Sequence, residues 1–153
     1  RVFEDLGYED VRTLLNSGNI VFTIRKRTTG DHAARMQKAI EERLGVRSRV
    51  VVLTSREIAD AVAVNPMKSV ADNPSRLLVL ACADSKTVAQ LKPLLKERWA
   101  PEALALGKRV AYLWCARGIG VSRLWMMVNR AIRDGGTARN LTTMNKLLAI
   151  LDE

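Results

Sequence analysis

The 153-residue sequence has few of the side chains that most often perform catalysis or hold a metal. It contains one histidine, His32, and two cysteines, Cys82 and Cys115. Two cysteines are too few for a disulfide framework, and these are too far apart for a usual set of metal ligands. No Cys, Asp or Glu stands at a spacing from His32 that indicates a metal site or a catalytic triad. The sequence therefore predicts neither a metal nor a cofactor, and it leaves open whether the protein is an enzyme.

Long apolar runs and aromatic residues are also scarce. No run approaches the ~18 apolar residues of a membrane span, so no membrane association is expected. Aromatic residues make up 5% of the chain, which disfavours a broad platform for stacking bases. The 48% hydrophobic and 27% charged residues are nevertheless the balance of a folded, soluble domain. Because disulfides are not indicated, a cytoplasmic location is expected.

Positive charge is what the sequence has in excess. It holds 25 Lys and Arg against 16 Asp and Glu, which gives a formal net charge of +9. Residues 76–153 carry 13 basic and 6 acidic residues, a balance of +7, whereas residues 1–54 reach only +3. A surface that attracts anions should therefore lie mainly in the C-terminal half.

The hydrophobic and turn patterns predict the same order of elements twice. In the second half we expect a strand at 77–82, a helix from Asp84 or Ser85, and a hairpin of strands at 103–106 and 109–114. A helix at 121–132, a strand at 137–140 and a final helix from Thr142 or Thr143 to Leu151 follow. In the first half we expect the end of a helix at 6–8, a hairpin at 11–24, a helix at 31–45 and a strand at 49–53. The full order is that of a ferredoxin-like βαββαβ unit.

We therefore predict an α+β fold of two tandem ferredoxin-like units. Residues 1–54 form the first unit, which lacks its opening strand and most of its first helix. Residues 55–75 are a connecting helix and loop, and residues 76–153 form the second unit plus a final helix. Several strands are apolar on both faces, which predicts that the second face of the sheet packs against the other unit or a second copy of the chain.

Six short motifs occur in one order along the chain. They are Leu15-Asn16-Ser17-Gly18-Asn19-Ile20-Val21-Phe22, Asn65-Pro66, Tyr112-Leu113-Trp114, Gly118-Ile119-Gly120-Val121-Ser122-Arg123-Leu124, Thr137-Ala138-Arg139-Asn140 and Thr143-Met144-Asn145-Lys146-Leu147-Leu148. In this order the chain resembles, over essentially its whole length, the bacterial family called domain of unknown function 1697. The resemblance implies a cytoplasmic protein with a further N-terminal strand and helix, and without a settled activity.

The densest polar cluster is the first candidate binding site. It runs from the last strand into the last helix, where free backbone amides and the helix dipole favour an anion. Arg139 could bind a phosphate or carboxylate through two parallel hydrogen bonds. The other members are Asn140, Thr142, Thr143 and Lys146. The alternative is structural: Thr142 or Thr143 caps the helix and Arg139 pairs with a neighbouring acid.

The turn of the first hairpin is the second candidate. Asn16, Ser17, Gly18 and Asn19 could present amide groups to a ligand, and the alternative is an ordinary tight turn. A turn alone does not require both asparagines.

Three functions remain open from the sequence. The leading hypothesis is a binding protein for an anionic ligand, with nucleic acid as one candidate, acting through the basic C-terminal unit. The second is an enzyme for a small phosphorylated or carboxylated substrate, bound between the units by Arg139 and by Asn16 or Asn19. It requires that these residues share a site. The third is a structural module that forms a homodimer.

Overall fold

The computed structural model describes residues 1–14, 18–24 and 31–152, which form an α+β fold with two antiparallel sheets. The helices and strands are, in chain order, α1 (Val2–Asp5), β1 (Glu9–Leu14), β2 (Asn19–Thr23), α2 (His32–Leu44), α3 (Ser55–Ala63), β3 (Leu77–Cys82), α4 (Ser85–Ala89), β4 (Ala103–Leu106), β5 (Val110–Trp114), α5 (Arg123–Ile132), β6 (Gly136–Asn140) and α6 (Leu141–Leu151). Single 3₁₀ turns lie at Pro74–Arg76, Lys92–Lys96 and Ile119–Val121.

The larger sheet has four strands in the spatial order β4-β5-β3-β6. All three pairings are antiparallel, and β3 is held between β5 and β6. The strands, together with α4 and α5, follow the order that the sequence predicts for residues 76–153. β5 and β3 are the inner strands, each with a neighbour on both sides; every residue of β5 is buried, and Leu77 and Leu80 of β3 are completely buried.

Helices cover both faces of this sheet. On one face Leu78, Leu80 and Leu113 pack with α4 and α5. On the other face Val79 and Tyr112 pack with residues of α3 and α6. Strands that are buried on both faces need apolar side chains at every position, which explains the pattern in the sequence. The prediction that the other unit or a second copy covers the second face is wrong, because the helix at 55–63 and the last helix cover it instead.

The N-terminal residues form a smaller cluster beside this sheet. β1 and β2 make the predicted hairpin, and α1 and α2 pack on it through Phe3, Tyr8 and Met36. Asp31 caps α2, since its carboxylate accepts a hydrogen bond from the backbone N–H of Ala34 at 3.1 Å. Gly45 ends the helix at φ +67°, a conformation that glycine adopts without strain.

The strand predicted at residues 49–53 is absent, although the segment is described in full. In the larger sheet the last strand pairs with the first strand of the same unit. The described residues before 49 contain only β1 and β2 as strands, which pair with each other, so no first strand is present for this segment to join. Val50 and Val52 instead pack against the N-terminal cluster, which accounts for their apolar character.

A second correction concerns the start of α5. The sequence places Val121 on the buried stripe of this helix, but the helix begins at Arg123 with Ser122 as its N-cap. Val121 belongs to a 3₁₀ turn and its side chain is 74% exposed.

In the described part of the chain, no helix combines the length and hydrophobicity that crossing a bilayer requires.

Candidate functional site

The two polar clusters predicted from the sequence meet in space. Arg139 of β6 donates a hydrogen bond from its Nε to the Oδ1 of Asn19 in β2 at 2.7 Å, across 120 residues of chain. Gly18 borders the same guanidinium, because a Cβ atom at Gly18 would lie 3.9 Å from its Nη2. Asn16 and Ser17 lie outside the described residues. Arg139 and the described part of the hairpin turn, Gly18 and Asn19, therefore lie next to one another.

The contacts of Arg139 at this junction are largely internal. Its Nη1 donates to Thr137 Oγ1 and to the carbonyl of Ala138, both at 2.8 Å. Asn19 is buried and its Nδ2 donates to the carbonyl of Leu14 at 3.3 Å. Burial lowers the pKa of the half-buried Arg139 guanidinium, which nevertheless stays protonated at neutral pH. Arg139 thus ties the N-terminal hairpin to the edge strand of the larger sheet.

Asn140, rather than a threonine, caps α6. Its Oδ1 accepts a hydrogen bond from the backbone N–H of Thr143 at 2.9 Å, so the prediction that Thr142 or Thr143 caps the helix is wrong. Asparagine is as good an N-cap as serine or threonine, and the chain enters the helix directly from the strand. Thr142 is half-buried and Lys146 is exposed one turn further along the helix. The capping bond leaves less of the Asn140 side chain for a ligand.

A second site lies beside the opposite edge of the sheet, next to β4, and the sequence did not indicate it. A partly open cavity of about 250 Å³ is bordered by three arginines from three chain segments. We call it the arginine cleft, and define it by Arg98, Trp99, Ala100, Pro101, Glu102, Arg117, Val121 and Arg123.

Trp99 and Arg123 form one wall of the arginine cleft. The Arg123 Cζ lies 4.8 Å from the centroid of the Trp99 ring, within the range of a cation–π contact. Trp99 is buried and its Nε1 donates to the carbonyl of Leu94 at 2.8 Å, which fixes the ring. The Arg123 side chain is 59% exposed, and its Nη2 forms a long ion pair of 3.5 Å with Glu97 Oε1.

Glu102 contributes a carboxylate to the cleft, but α5 already uses both of its oxygens. Oε2 accepts from the Ser122 hydroxyl at 2.6 Å, and Oε1 accepts from the backbone N–H of Leu124 at 3.0 Å. A negative charge is stabilised there by the start of the helix. Neither Arg98 nor Arg117 makes a hydrogen bond or ion pair with another described residue. Two guanidinium groups at the cleft therefore have donors available to an anion.

The hairpin explains why the cleft could have been found from the sequence. β4 and β5 pair with Ala103 opposite Trp114, so residues just before β4 must lie beside residues just after β5. Arg98 and Arg117 flank the hairpin in this way, and the turn after β5 leads to Arg123. The predicted hairpin, extended outward by a few residues on each side, would have brought these arginines together.

Comparison with known proteins gives a family but no function. The family described as "Protein of unknown function (DUF1697)" matches residues 1–112. The match ends before the glycine-rich motif at 118–124 and the last two motifs. No curated protein and no solved structure matches the chain.

Proposed function

The chain belongs to the DUF1697 family of proteins of unknown function, and since that membership assigns no activity, we propose a function from the arginine cleft: the protein binds an anionic ligand there. The observation that carries the proposal is the pair of exposed guanidinium groups of Arg98 and Arg117 beside Arg123, for which the described residues supply no hydrogen-bond or ion-pair partner. Guanidinium groups bind phosphate and carboxylate through parallel, charge-assisted hydrogen bonds.

The charge of the surroundings supports this proposal. Three arginines border the cavity against one lining carboxylate, Glu102, which is neutralised in part by its two bonds to α5. The region from residue 76 onward also carries most of the positive charge of the chain. An approaching anion is therefore attracted over a distance of about a Debye length before any direct contact forms.

Removal of the two free guanidiniums tests the proposal. Inorganic pyrophosphate is titrated into the protein by calorimetry at about 50 mM NaCl, where screening is modest. The double variant Arg98→Gln with Arg117→Gln should bind pyrophosphate at least roughly tenfold more weakly, because two charge-assisted interactions are lost.

A matched variant separates the cleft from the overall charge. Arg49→Gln with Arg56→Gln also removes two positive charges, but from exposed positions outside the cleft. It should keep the affinity for pyrophosphate within about twofold. Equal losses in the two variants, or equal binding by the cleft variant and the unmodified chain, would contradict the proposal.

A second candidate function is favoured by the bond between Asn19 and Arg139. It is the enzyme that acts on a small phosphorylated or carboxylated substrate where the hairpin meets the sheet. The large cavity nearby, about 510 Å³ between the hairpin and the end of α6, is lined by residues of β1 and β2 with Ile150 and Leu151. Neither Asn19 nor Arg139 lines that cavity, so the arginine cleft is the better supported site.

The variant Arg139→Gln distinguishes the two candidate sites. It should lower the free energy of unfolding by about 1–2 kcal/mol, because the hydrogen bonds to Asn19 and Thr137 are lost or weakened. If the arginine cleft is the site, the affinity for pyrophosphate stays unchanged at temperatures where the variant is folded. A tenfold loss of affinity in the folded variant would favour the junction instead.

The finer fold assignment is also an inference. We infer that residues 76–153 form a ferredoxin-like unit, supported by the order β3-α4-β4-β5-α5-β6 and by the pairing of its first strand with its third and fourth. The incomplete first unit, the cytoplasmic location, the bacterial origin and the homodimer stay predictions.

A further inference from the structure

We propose that the ligand of the arginine cleft is single-stranded nucleic acid, an inference that rests on the anion binding proposed above. Its first support is the size of the cavity. At about 250 Å³ it is smaller than the ~300–1,000 Å³ pockets that enclose small-molecule ligands. A cavity of this size, partly open to solvent, can seat one phosphate group while the rest of a polymer continues across the surface.

The second support is the exposed Arg123 guanidinium beside the Trp99 ring. Its Cζ lies 4.8 Å from the ring centroid, and the side chain is 59% exposed. A base can therefore reach this planar group from the solvent side. Unpaired bases stack on arginine planes as well as on aromatic rings, so a chain with 5% aromatic residues still has a stacking surface here.

The third support is the apolar surface beside the arginines. Val121 lines the cleft and is 74% exposed, and Leu95 and Met126 are exposed on the neighbouring 3₁₀ turn and on α5. A free phosphate or a small carboxylate would leave this surface in water. A single strand offers charged phosphates to Arg98 and Arg117 together with flat, weakly polar bases to the apolar side chains. An acidic peptide offers the charges without the bases.

Fluorescence anisotropy tests the inference directly. The probe is a labelled single-stranded oligothymidine of about 12 nucleotides, titrated between about 50 and 200 mM NaCl. If Arg98 and Arg117 each contact a phosphate, the logarithm of the binding constant should fall with the logarithm of salt concentration with a slope of about −1.4. The variant Arg98→Gln with Arg117→Gln should remove most of that slope.

One conservative variant separates stacking from charge. Arg123→Lys keeps the positive charge but removes the planar group, so it should weaken oligothymidine binding by about threefold to tenfold more than it weakens pyrophosphate binding. Arg130→Lys, at an exposed position two turns further along α5, is the control and should change neither.

The outcomes distinguish this inference from the proposed function. Pyrophosphate binding without tighter oligothymidine binding, or equal binding of oligothymidine, a duplex and polyglutamate, overturns the nucleic-acid inference and leaves the anion site standing. An equal loss of affinity for both ligands in Arg123→Lys also overturns the stacking role. If the unmodified chain binds neither ligand, the inference and the proposed function both fail.

Discussion

The variant Arg109→Met is expected to lose about 2–3 kcal/mol of unfolding free energy, which for a chain of this size lowers the melting temperature by about 5–10 °C. Arg109 precedes β5 and holds three segments together. Its Nη1 donates to the carbonyl of Val52 at 3.3 Å and to Glu57 Oε2 at 3.0 Å. Its Nη2 donates to the carbonyls of Cys82 at 3.0 Å and Ala83 at 3.1 Å.

The size of this effect reflects partial burial. The Arg109 and Glu57 side chains are 30% and 32% exposed, so their ion pair is only partly screened by water. Methionine would keep much of the aliphatic packing but leave Glu57 and the backbone carbonyls without their donor. The loss stays below that of a fully buried pair because the Nε of Arg109 is itself buried without a partner among the described residues.

Urea unfolding followed by circular dichroism measures the difference. The neighbouring variant Lys108→Met, at an exposed turn position, is the control and should stay within about 0.5 kcal/mol of the unmodified chain. Coincident unfolding curves for the Arg109 variant and this control would show that the contacts contribute no net stability.

The same ion pair gives the stability a dependence on pH. Burial raises the pKa of Glu57, but hydrogen bonds from the Thr54 backbone and from Arg109, with the attraction of the guanidinium, outweigh burial and lower the pKa below its ordinary 4.5. The stabilisation is therefore complete above pH 4.5 and is lost as the pH falls through the lowered pKa of the folded state. The stability difference between the unmodified chain and Arg109→Met should shrink over that range.

Gly136→Ala is expected to cost about 2–3 kcal/mol, because the added methyl has no space. A Cβ at Gly136 would lie 2.7 Å from the backbone oxygen of Ala81 and 3.2 Å from Leu80 Cδ1. The carbonyl belongs to the central strand β3, which is paired on both sides, so it cannot move without disturbing two pairings. β6 would have to shift instead, which weakens the edge that carries Arg139.

A second glycine serves as the control. Nothing lies within 4 Å of a Cβ at Gly120, and its backbone does not adopt a positive φ. Gly120→Ala should therefore be neutral or raise the stability by about 0.4–1 kcal/mol through the unfolded state. Urea midpoints for the two variants test the difference, and equal midpoints would refute the steric argument.

Local signals predicted most of the elements correctly. The strand at Leu77–Cys82 is a continuous apolar run, and α3 begins at residue 55, where the connecting helix is predicted, with Thr54 and Glu57 forming a capping box. The strand predicted at 49–53 is absent because β-branched residues indicate a half-buried environment, not the presence of a neighbouring strand. Val50 and Val52 are half-buried by packing against the N-terminal cluster.

The functional surfaces were harder to predict, for a related reason. Arg139 and Asn19 were each recognised, but only the packing of the hairpin against the sheet shows that they contact one another. No motif indicates the arginine cleft, because Arg98, Arg117 and Arg123 are separated in the sequence and share none. The predicted hairpin of 103–106 and 109–114 places Arg98 near Arg117, but the contact of Arg123 with Trp99 depends on how α5 packs beside that hairpin.

The position of α3 limits how the chain can be divided for study. A fragment that starts at residue 76 would keep all four strands of the larger sheet. It would lose Ile58, Ala61 and Met67, which cover Leu77 and Tyr112, and the Tyr112 hydroxyl would lose its 2.6 Å bond to the Ala61 carbonyl. Such a fragment exposes an apolar surface to water and should aggregate. A fragment made for separate expression should therefore begin before Thr54, the N-cap of α3.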